Sequence, residues 1–149
     1  MSTTSYQTVP IAKAPQPSPK HRNQDVWPLV LVVDDEPVIT ETLKAILNRS
    51  GIATLCANCG PDALELARVM PPDLLITDYR MPEMNGVELA SCVKRIAPGC
   101  QIILFSGNLT LDKLLAEAES SGVEMVTLAK PVHPARILEL VRSRLVAIQ

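Results

Sequence analysis

The sequence lacks any apolar stretch that approaches the roughly 20 residues needed to span a membrane. Its N-terminus also lacks the apolar core of a signal peptide. We therefore expect a cytoplasmic protein without membrane insertion. A broad charge of one sign is absent as well, because 14 basic and 16 acidic residues give a formal net charge of -2. Without such a field, direct binding to nucleic acid is not expected.

The four cysteines include one closely spaced pair, Cys56 and Cys59. A zinc site usually needs a second close pair, which Cys92 and Cys100 do not form, and a redox CxxC motif usually opens a helix directly. Metal or redox chemistry at this pair is therefore the minor alternative. We expect reduced, partly buried thiols that pack as small hydrophobic side chains.

Residues 1–26 differ in composition from the rest of the chain. They are rich in Ser, Thr, Gln and Pro and contain hardly any apolar cluster. Such a segment cannot bury enough surface to offset the entropy lost on ordering. We predict that residues 1–26 form a disordered N-terminal tail and that residues 27–149 form one domain.

From residue 27 onward, short apolar runs alternate with helical patterns. The predicted strands span residues 29–33, 52–57, 73–77, 101–105 and 123–128, and the predicted helices span residues 37–50, 61–70, 87–96, 111–120 and 134–147. Strands separated by helices need crossover connections, which produce a parallel sheet covered on both faces. The expected fold class is α/β, a doubly wound sheet of five strands with five helices.

Polar side chains end four of the predicted strands. Asp34 and Asp35 follow the first strand and Asp78 the third, so three carboxylates should converge at one edge of the sheet and repel one another. Mg²⁺, which takes few protein carboxylates and keeps several waters, is the simplest neutraliser. Ser106 and Lys130 follow the fourth and fifth strands at the same edge. Although such residues also occur as helix caps or on surfaces, their coincidence predicts a metal-assisted phosphate site.

These residues carry a resemblance to a known family. The chain resembles the receiver domains of bacterial two-component response regulators, in the single-domain, chemotaxis-receiver-like form. The matching segments are residues 32–37 (VVDDEP), 78–86 (DYRMPEMNG), 106–107 (SG) and 130–131 (KP), in the family's order and close to its spacing. The resemblance implies a flavodoxin-like sheet with strand order 2-1-3-4-5.

The resemblance also implies that Asp78 accepts a phosphoryl group. The donor would be a phosphohistidine on a sensor histidine kinase or a phosphotransfer protein, and Ser106 and Lys130 would bind the phosphoryl group once it arrives. Such a domain is a single-turnover phosphoacceptor that catalyses its own phosphorylation and dephosphorylation, rather than an enzyme. Since no output domain follows the last predicted helix, we expect a stand-alone receiver or one cut from a longer protein, which signals through protein contact to an unknown downstream partner.

The implied cofactor is Mg²⁺. By resemblance, Asp35 would bind the ion directly and Asp34 largely through metal-bound water. Asp78 and the backbone carbonyl of Arg80 would supply further ligands.

The chain departs from the family pattern at Thr127. Receivers commonly carry Tyr or Phe three positions before the lysine, and a small β-branched side chain cannot fill the same volume. This puts the usual aromatic readout between the fourth and fifth helices in question, whereas a role for Ser106 in activation is still expected. The family pattern also indicates a cis Lys130-Pro131 peptide bond, which only proline makes accessible at low cost.

Two alternative functions stay open. A receiver-like interaction module that works without phosphorylation would suit Thr127, although every expected pocket residue is present. A Mg²⁺-dependent phosphohydrolase of the dehalogenase-like class also uses an Asp nucleophile at a strand end, but its DxDxT motif is missing. Turnover of a small phosphate ester would distinguish this second class.

Overall fold

The computed structural model describes residues 27–107 and 111–148. The strands are β1 (Leu29–Val33), β2 (Ala53–Ala57), β3 (Leu74–Asp78), β4 (Gln101–Ser106) and β5 (Val126–Ala129). The helices are α1 (Pro37–Arg49), α2 (Gly60–Val69), α3 (Gly86–Ile96), α4 (Leu111–Ser121) and α5 (Pro134–Ile148). The predicted tail, residues 1–26, lies outside the described residues, so its disorder stays a prediction.

The strands form one parallel sheet in the order β2-β1-β3-β4-β5, which confirms the predicted fold class. The order reverses beside β1, where ligands of doubly wound sheets usually bind. In the register, Val33 lies opposite both Ala57 and Thr77. Asp34, the residue after β1, and Asp78, the last residue of β3, therefore lie side by side at the carboxyl edge of the sheet.

Both faces of the sheet are covered, which is why its strands read as continuous apolar runs. On β1, Val30 and Val32 face a core formed with α1 and α5, whereas Leu31 and Val33 face a core formed with α2 and α3. The helical residues of these two cores are Leu43, Leu47, Ile137, Val141 and Leu145 on one face and Ala63, Leu64, Ala67, Leu89, Ala90 and Val93 on the other. Within the described residues, no helix has the length and apolar character that a membrane span requires.

The prediction for the last strand was wrong at its start. Residues 123–128 were expected, but β5 spans Val126–Ala129. Val123 and Met125 instead pack as partly buried side chains against the core under α2 and α3, without pairing with β4. Alternating apolar residues produce the same pattern whether they pair in a sheet or only pack against it, so the sequence could not separate the two.

Candidate functional site

Three carboxylates and one ammonium group meet at the carboxyl edge of the sheet. Ligand oxygens of Asp34, Asp35 and Asp78 all lie within 4.8 Å of one another. The Lys130 Nζ lies 3.2 Å from Asp78 Oδ1 and 3.5 Å from Asp34 Oδ2. The structure thus brings together four of the residues that the sequence placed at this edge.

Asp34 is almost fully buried, whereas Asp35 is exposed. Burial raises the pKa of Asp34, and the nearby charge of Asp78 acts in the same direction, against a hydrogen bond of 2.9 Å that Glu36 N–H donates to Asp34 Oδ1. A buried carboxylate beside another one is costly to ionise unless a cation approaches. This electrostatic setting favours binding of a cation.

Asp78 is also buried, and its Oδ1 accepts a 3.0 Å hydrogen bond from the N–H of Tyr79. Burial raises its pKa, and the Lys130 charge only partly opposes that rise. For Lys130 itself, burial lowers the pKa, but Asp78 and Asp34 outweigh this effect and leave the pKa raised. Lys130 is therefore a permanently charged partner for groups bound at Asp78.

Ser106 ends β4 and is buried, and its hydroxyl donates a 3.3 Å hydrogen bond to the carbonyl of Gly107. The Lys130-Pro131 bond that follows β5 is cis, as predicted. Arg80 lies two residues beyond Asp78 with an exposed side chain, and the metal-binding role of its carbonyl stays a prediction.

The loop after Asp78 is closed at its base. Gly86 N–H donates a 2.8 Å hydrogen bond to the carbonyl of Tyr79, and a Cβ at Gly86 would lie only 2.3 Å from the Asp78 carbonyl oxygen. Asn85 and Glu88 form a capping box at the start of α3, each accepting a 2.9 Å hydrogen bond from the backbone N–H of the other. Only glycine permits this close approach of α3 to the backbone of the acidic residue.

The contacts that Asn58 makes at the site were not predicted from the sequence. Asn58 Nδ2 donates hydrogen bonds of 2.8 Å to the Asp34 carbonyl and 3.2 Å to Thr40 Oγ1, which ties β2 and α1 to the first acidic residue. The Cys56 thiol donates to the carbonyl of Thr40 at 3.2 Å, and burial raises its pKa. All four cysteines are free thiols, in keeping with the packing role expected for them.

The donor set fits the predicted cofactor. It consists of carboxylate oxygens, the ligands that hard cations such as Mg²⁺ prefer. Within residues 27–107 and 111–148, these three aspartates are the group of acidic, His or Cys side chains close enough to share a metal ion. The site is therefore a candidate divalent-cation site.

Comparison with known proteins agrees with this geometry. A sequence model of the response regulator receiver domain matches residues 30–142. The chain is 40% identical over 110 residues to a response regulator receiver protein of Anaeromyxobacter sp., covering 74% of this chain and 45% of that protein. It is 32% identical over 112 residues to the chemotaxis protein CheY of Thermotoga maritima, covering 74% of this chain and 91% of CheY. The chain spans half or less of the length of this Anaeromyxobacter protein and of two further curated relatives.

A solved structure has the same fold. The CheY-like response regulator receiver domain protein of Methanospirillum hungatei matches with a TM-score of 0.74 at 25% identity, covering 82% of this chain and 96% of that one. The family match extends from β1 into α5 and therefore includes the three aspartates and Lys130. Sequence and fold thus lead to one conclusion: the chain belongs to the response regulator receiver domain family.

Proposed function

We propose that this receiver takes a phosphoryl group onto Asp78 from the phosphohistidine of a sensor histidine kinase or phosphotransfer protein, in a reaction that requires Mg²⁺. The observation that carries the proposal is the position of Lys130 Nζ, 3.2 Å from an oxygen of Asp78, beside two further aspartates. A nucleophilic carboxylate, a fixed cation and a cation site then share one pocket.

The chemistry requires little covalent assistance from the protein. An Asp78 oxygen forms a bond to phosphorus while the bond from phosphorus to the imidazole nitrogen breaks, and that nitrogen keeps the electron pair. Both reactants are negatively charged, so the main barrier is electrostatic. Lys130 places a point charge beside the attacking oxygen, and Ser106 offers a rotatable donor for a phosphoryl oxygen. Mg²⁺, when bound by Asp34, Asp35 and Asp78, would supply further positive charge.

The output proposed for the domain is a change in protein contacts. The acceptor is consumed in each event, so the domain reacts once per phosphoryl group and acts as a switch rather than as a turnover enzyme. A phosphoryl group that binds Ser106 and Lys130 makes contacts that the free carboxylate does not make, and such differential contacts are what shift a population. The downstream partner would read that shift.

Acetyl phosphate tests the proposal without knowledge of the kinase. With Mg²⁺ present, the purified protein should gain one phosphoryl group by intact mass, and hydroxylamine should remove it, as expected for an acyl phosphate. Chelation of Mg²⁺ should prevent labelling. Asp78→Ala should not be labelled, whereas Asp62→Ala, which removes an exposed carboxylate at the start of α2, should be labelled like the parent.

Two outcomes would contradict the proposal. Labelling of Asp78→Ala at the parent level would place the chemistry at another residue. An unlabelled parent protein with Mg²⁺ bound would favour the alternative of an interaction module that works without phosphorylation.

A further inference from the structure

Tyr79, the residue after the proposed acceptor, contacts both the acidic pocket and the apolar cluster beneath α4. Its backbone N–H donates the 3.0 Å hydrogen bond to Asp78 Oδ1. Its ring is only 5% exposed and packs in a small apolar cluster with Val87, Leu104 and Leu114, which come from α3, β4 and α4. One residue therefore contacts the acceptor carboxylate through its backbone and α4 through its side chain.

The phenol of Tyr79 ends in a polar contact with α4. Its hydroxyl donates a hydrogen bond to Glu117 Oε1, and the other oxygen of Glu117 lies 3.5 Å from Asn85 Nδ2, at the start of α3. Burial, reinforced by Glu117, raises the pKa of Tyr79 to about 12. Tyr79 and Glu117 thus connect the residue after β3 to α4 and to the start of α3.

Helix α4 is weakly anchored by its apolar face. Its buried residues are Leu114 and Ala118, while Leu115 on the same helix is 45% exposed. A helix with so small a buried face depends more than its neighbours on polar contacts such as that of Glu117.

We propose that Tyr79 is a positioning residue for Asp78 that transmits the state of the acceptor to α4 through Glu117. This inference rests on the proposed function. In the free protein, the Tyr79 N–H is shared between a carboxylate oxygen of Asp78 at 3.0 Å and the Phe105 carbonyl on β4 at 2.8 Å, and of these two the charge-assisted hydrogen bond is the stronger kind. Phosphorylation converts that carboxylate to a mixed anhydride whose oxygens are weaker acceptors. The shared N–H then bonds mainly to the Phe105 carbonyl, Tyr79 shifts toward β4, its contact with Glu117 weakens, and α4 is released.

The direction of the effect follows from linkage. If the Tyr79–Glu117 contact favours the unphosphorylated state, removal of the contact must favour the phosphorylated one by the same free energy. Tyr79→Phe keeps the ring in the apolar cluster and removes only the hydroxyl. Glu117→Ala removes the partly buried acceptor on α4, and Glu119→Ala, which alters an exposed glutamate on the same helix, is the matched control.

The test uses the full chain with Mg²⁺ and beryllofluoride as the phosphoryl mimic. Tyr79→Phe and Glu117→Ala should bind beryllofluoride about fivefold more tightly than the parent, the low end of ordinary coupling between sites. Their α4 amides should exchange before ligand addition almost as fast as those of the liganded parent. Glu119→Ala should match the parent in both measurements.

A spectroscopic signal reports on the hydroxyl directly. The chain has two tyrosines, Tyr6 and Tyr79, so a ¹³Cζ-tyrosine label gives two signals that Tyr6→Phe assigns. The Tyr79 signal should move when the parent binds beryllofluoride. If the parent binds beryllofluoride and the Tyr79 signal stays still, or if both contact variants keep the affinity and the α4 exchange of the parent, the transmission proposed here is wrong. Failure of every form to bind beryllofluoride would instead overturn the proposed function, and the transmission with it.

Discussion

Lys130 and Ser106 are joined through their backbones, because Lys130 N–H donates a 2.7 Å hydrogen bond to the Ser106 carbonyl. The same ladder pairs Ser106 with Ala129, the residue before the lysine. The two side chains proposed to bind the phosphoryl group therefore start from backbones that the sheet holds in register.

Exchange measurements test where the resulting change goes. A Ser106 bond to a phosphoryl oxygen would contribute roughly 1.5–3 kcal/mol, enough to bias a loop and the weakly anchored α4 but small against the cost of moving a helix as well packed as α5. On beryllofluoride binding, amide exchange should change at Gly107 and at the start of α4 and stay nearly constant at Thr127. Thr127→Tyr should extend the change toward α5. Equal exchange changes at Thr127 and Gly107 in the parent would show that the proposed conformational change does not need an aromatic ring at position 127.

Loss of Asp35 should abolish metal binding. Asp35 is the exposed member of the three aspartates and the one expected to bind Mg²⁺ directly. In a titration followed by amide chemical shifts, Asp35→Ala should show no saturable response to Mg²⁺, whereas Asp62→Ala should respond like the parent. Parent-like Mg²⁺ affinity in Asp35→Ala would refute the proposed ligand set.

Ionisation of Asp78 should reduce the stability of the metal-free protein. Burial raises the folded-state pKa of Asp78 above the ordinary value of 3.8, so its stabilising contribution is fully present below that pH and is lost as pH rises through the folded-state pKa. In the absence of divalent ions, Asp78→Asn should therefore have the larger free energy of unfolding at neutral pH. Urea denaturation over a pH series should show the difference shrinking on acidification toward pH 3.8. A difference that grows on acidification would reverse the sign assigned here.

Gly86→Ala should damage both the fold and the site. The added Cβ would lie 2.3 Å from the Asp78 carbonyl oxygen and 2.8 Å from a Leu104 methyl group. Overpacking of this kind costs typically about 1–3 kcal/mol, which denaturant unfolding would detect. Labelling by acetyl phosphate should fall as well, because Asp78 must shift. Gly99→Ala, whose Cβ meets nothing within 4 Å, should leave both measurements unchanged.

Glu83→Gly should stabilise the protein. Glu83 has φ of 72°, in the left-handed region that costs a side-chain-bearing residue about 1–2 kcal/mol. Glycine removes that strain but loses more entropy on folding, so we expect a net gain of about 1 kcal/mol in the free energy of unfolding. Glu83→Ala removes the same charge yet keeps the Cβ, and should give no such gain. A gain of the same size in Glu83→Ala would attribute the effect to charge instead.

The sheet and its acidic edge were predictable because their signals are local. Buried parallel strands such as β1 read as short apolar runs, and a side chain such as Asp34 that directly follows a strand must lie at the carboxyl edge. The contacts that the sequence did not reveal are long-range and have no pattern of their own. Tyr79 and Glu117 lie 38 residues apart in the sequence. Asn58 and Asp34 lie 24 residues apart, and the position of Asn58 between Cys56 and Cys59 does not indicate a hydrogen bond to Asp34.

The hydrogen bond between Gly86 and Tyr79 isolates the loop between these residues from the rest of the site. Because the loop is fastened where it leaves β3 and where it enters α3, residues at its tip can be exchanged without transmitting a displacement to Asp78. The exposed residues of this loop include Arg80, Pro82 and Glu83, whose side chains are not part of the buried framework of the pocket. Variants randomised at these three positions can therefore be screened for a changed preference for the phosphoryl donor, or for a changed lifetime of the proposed phosphorylated state, while the fold around Asp78 stays the same.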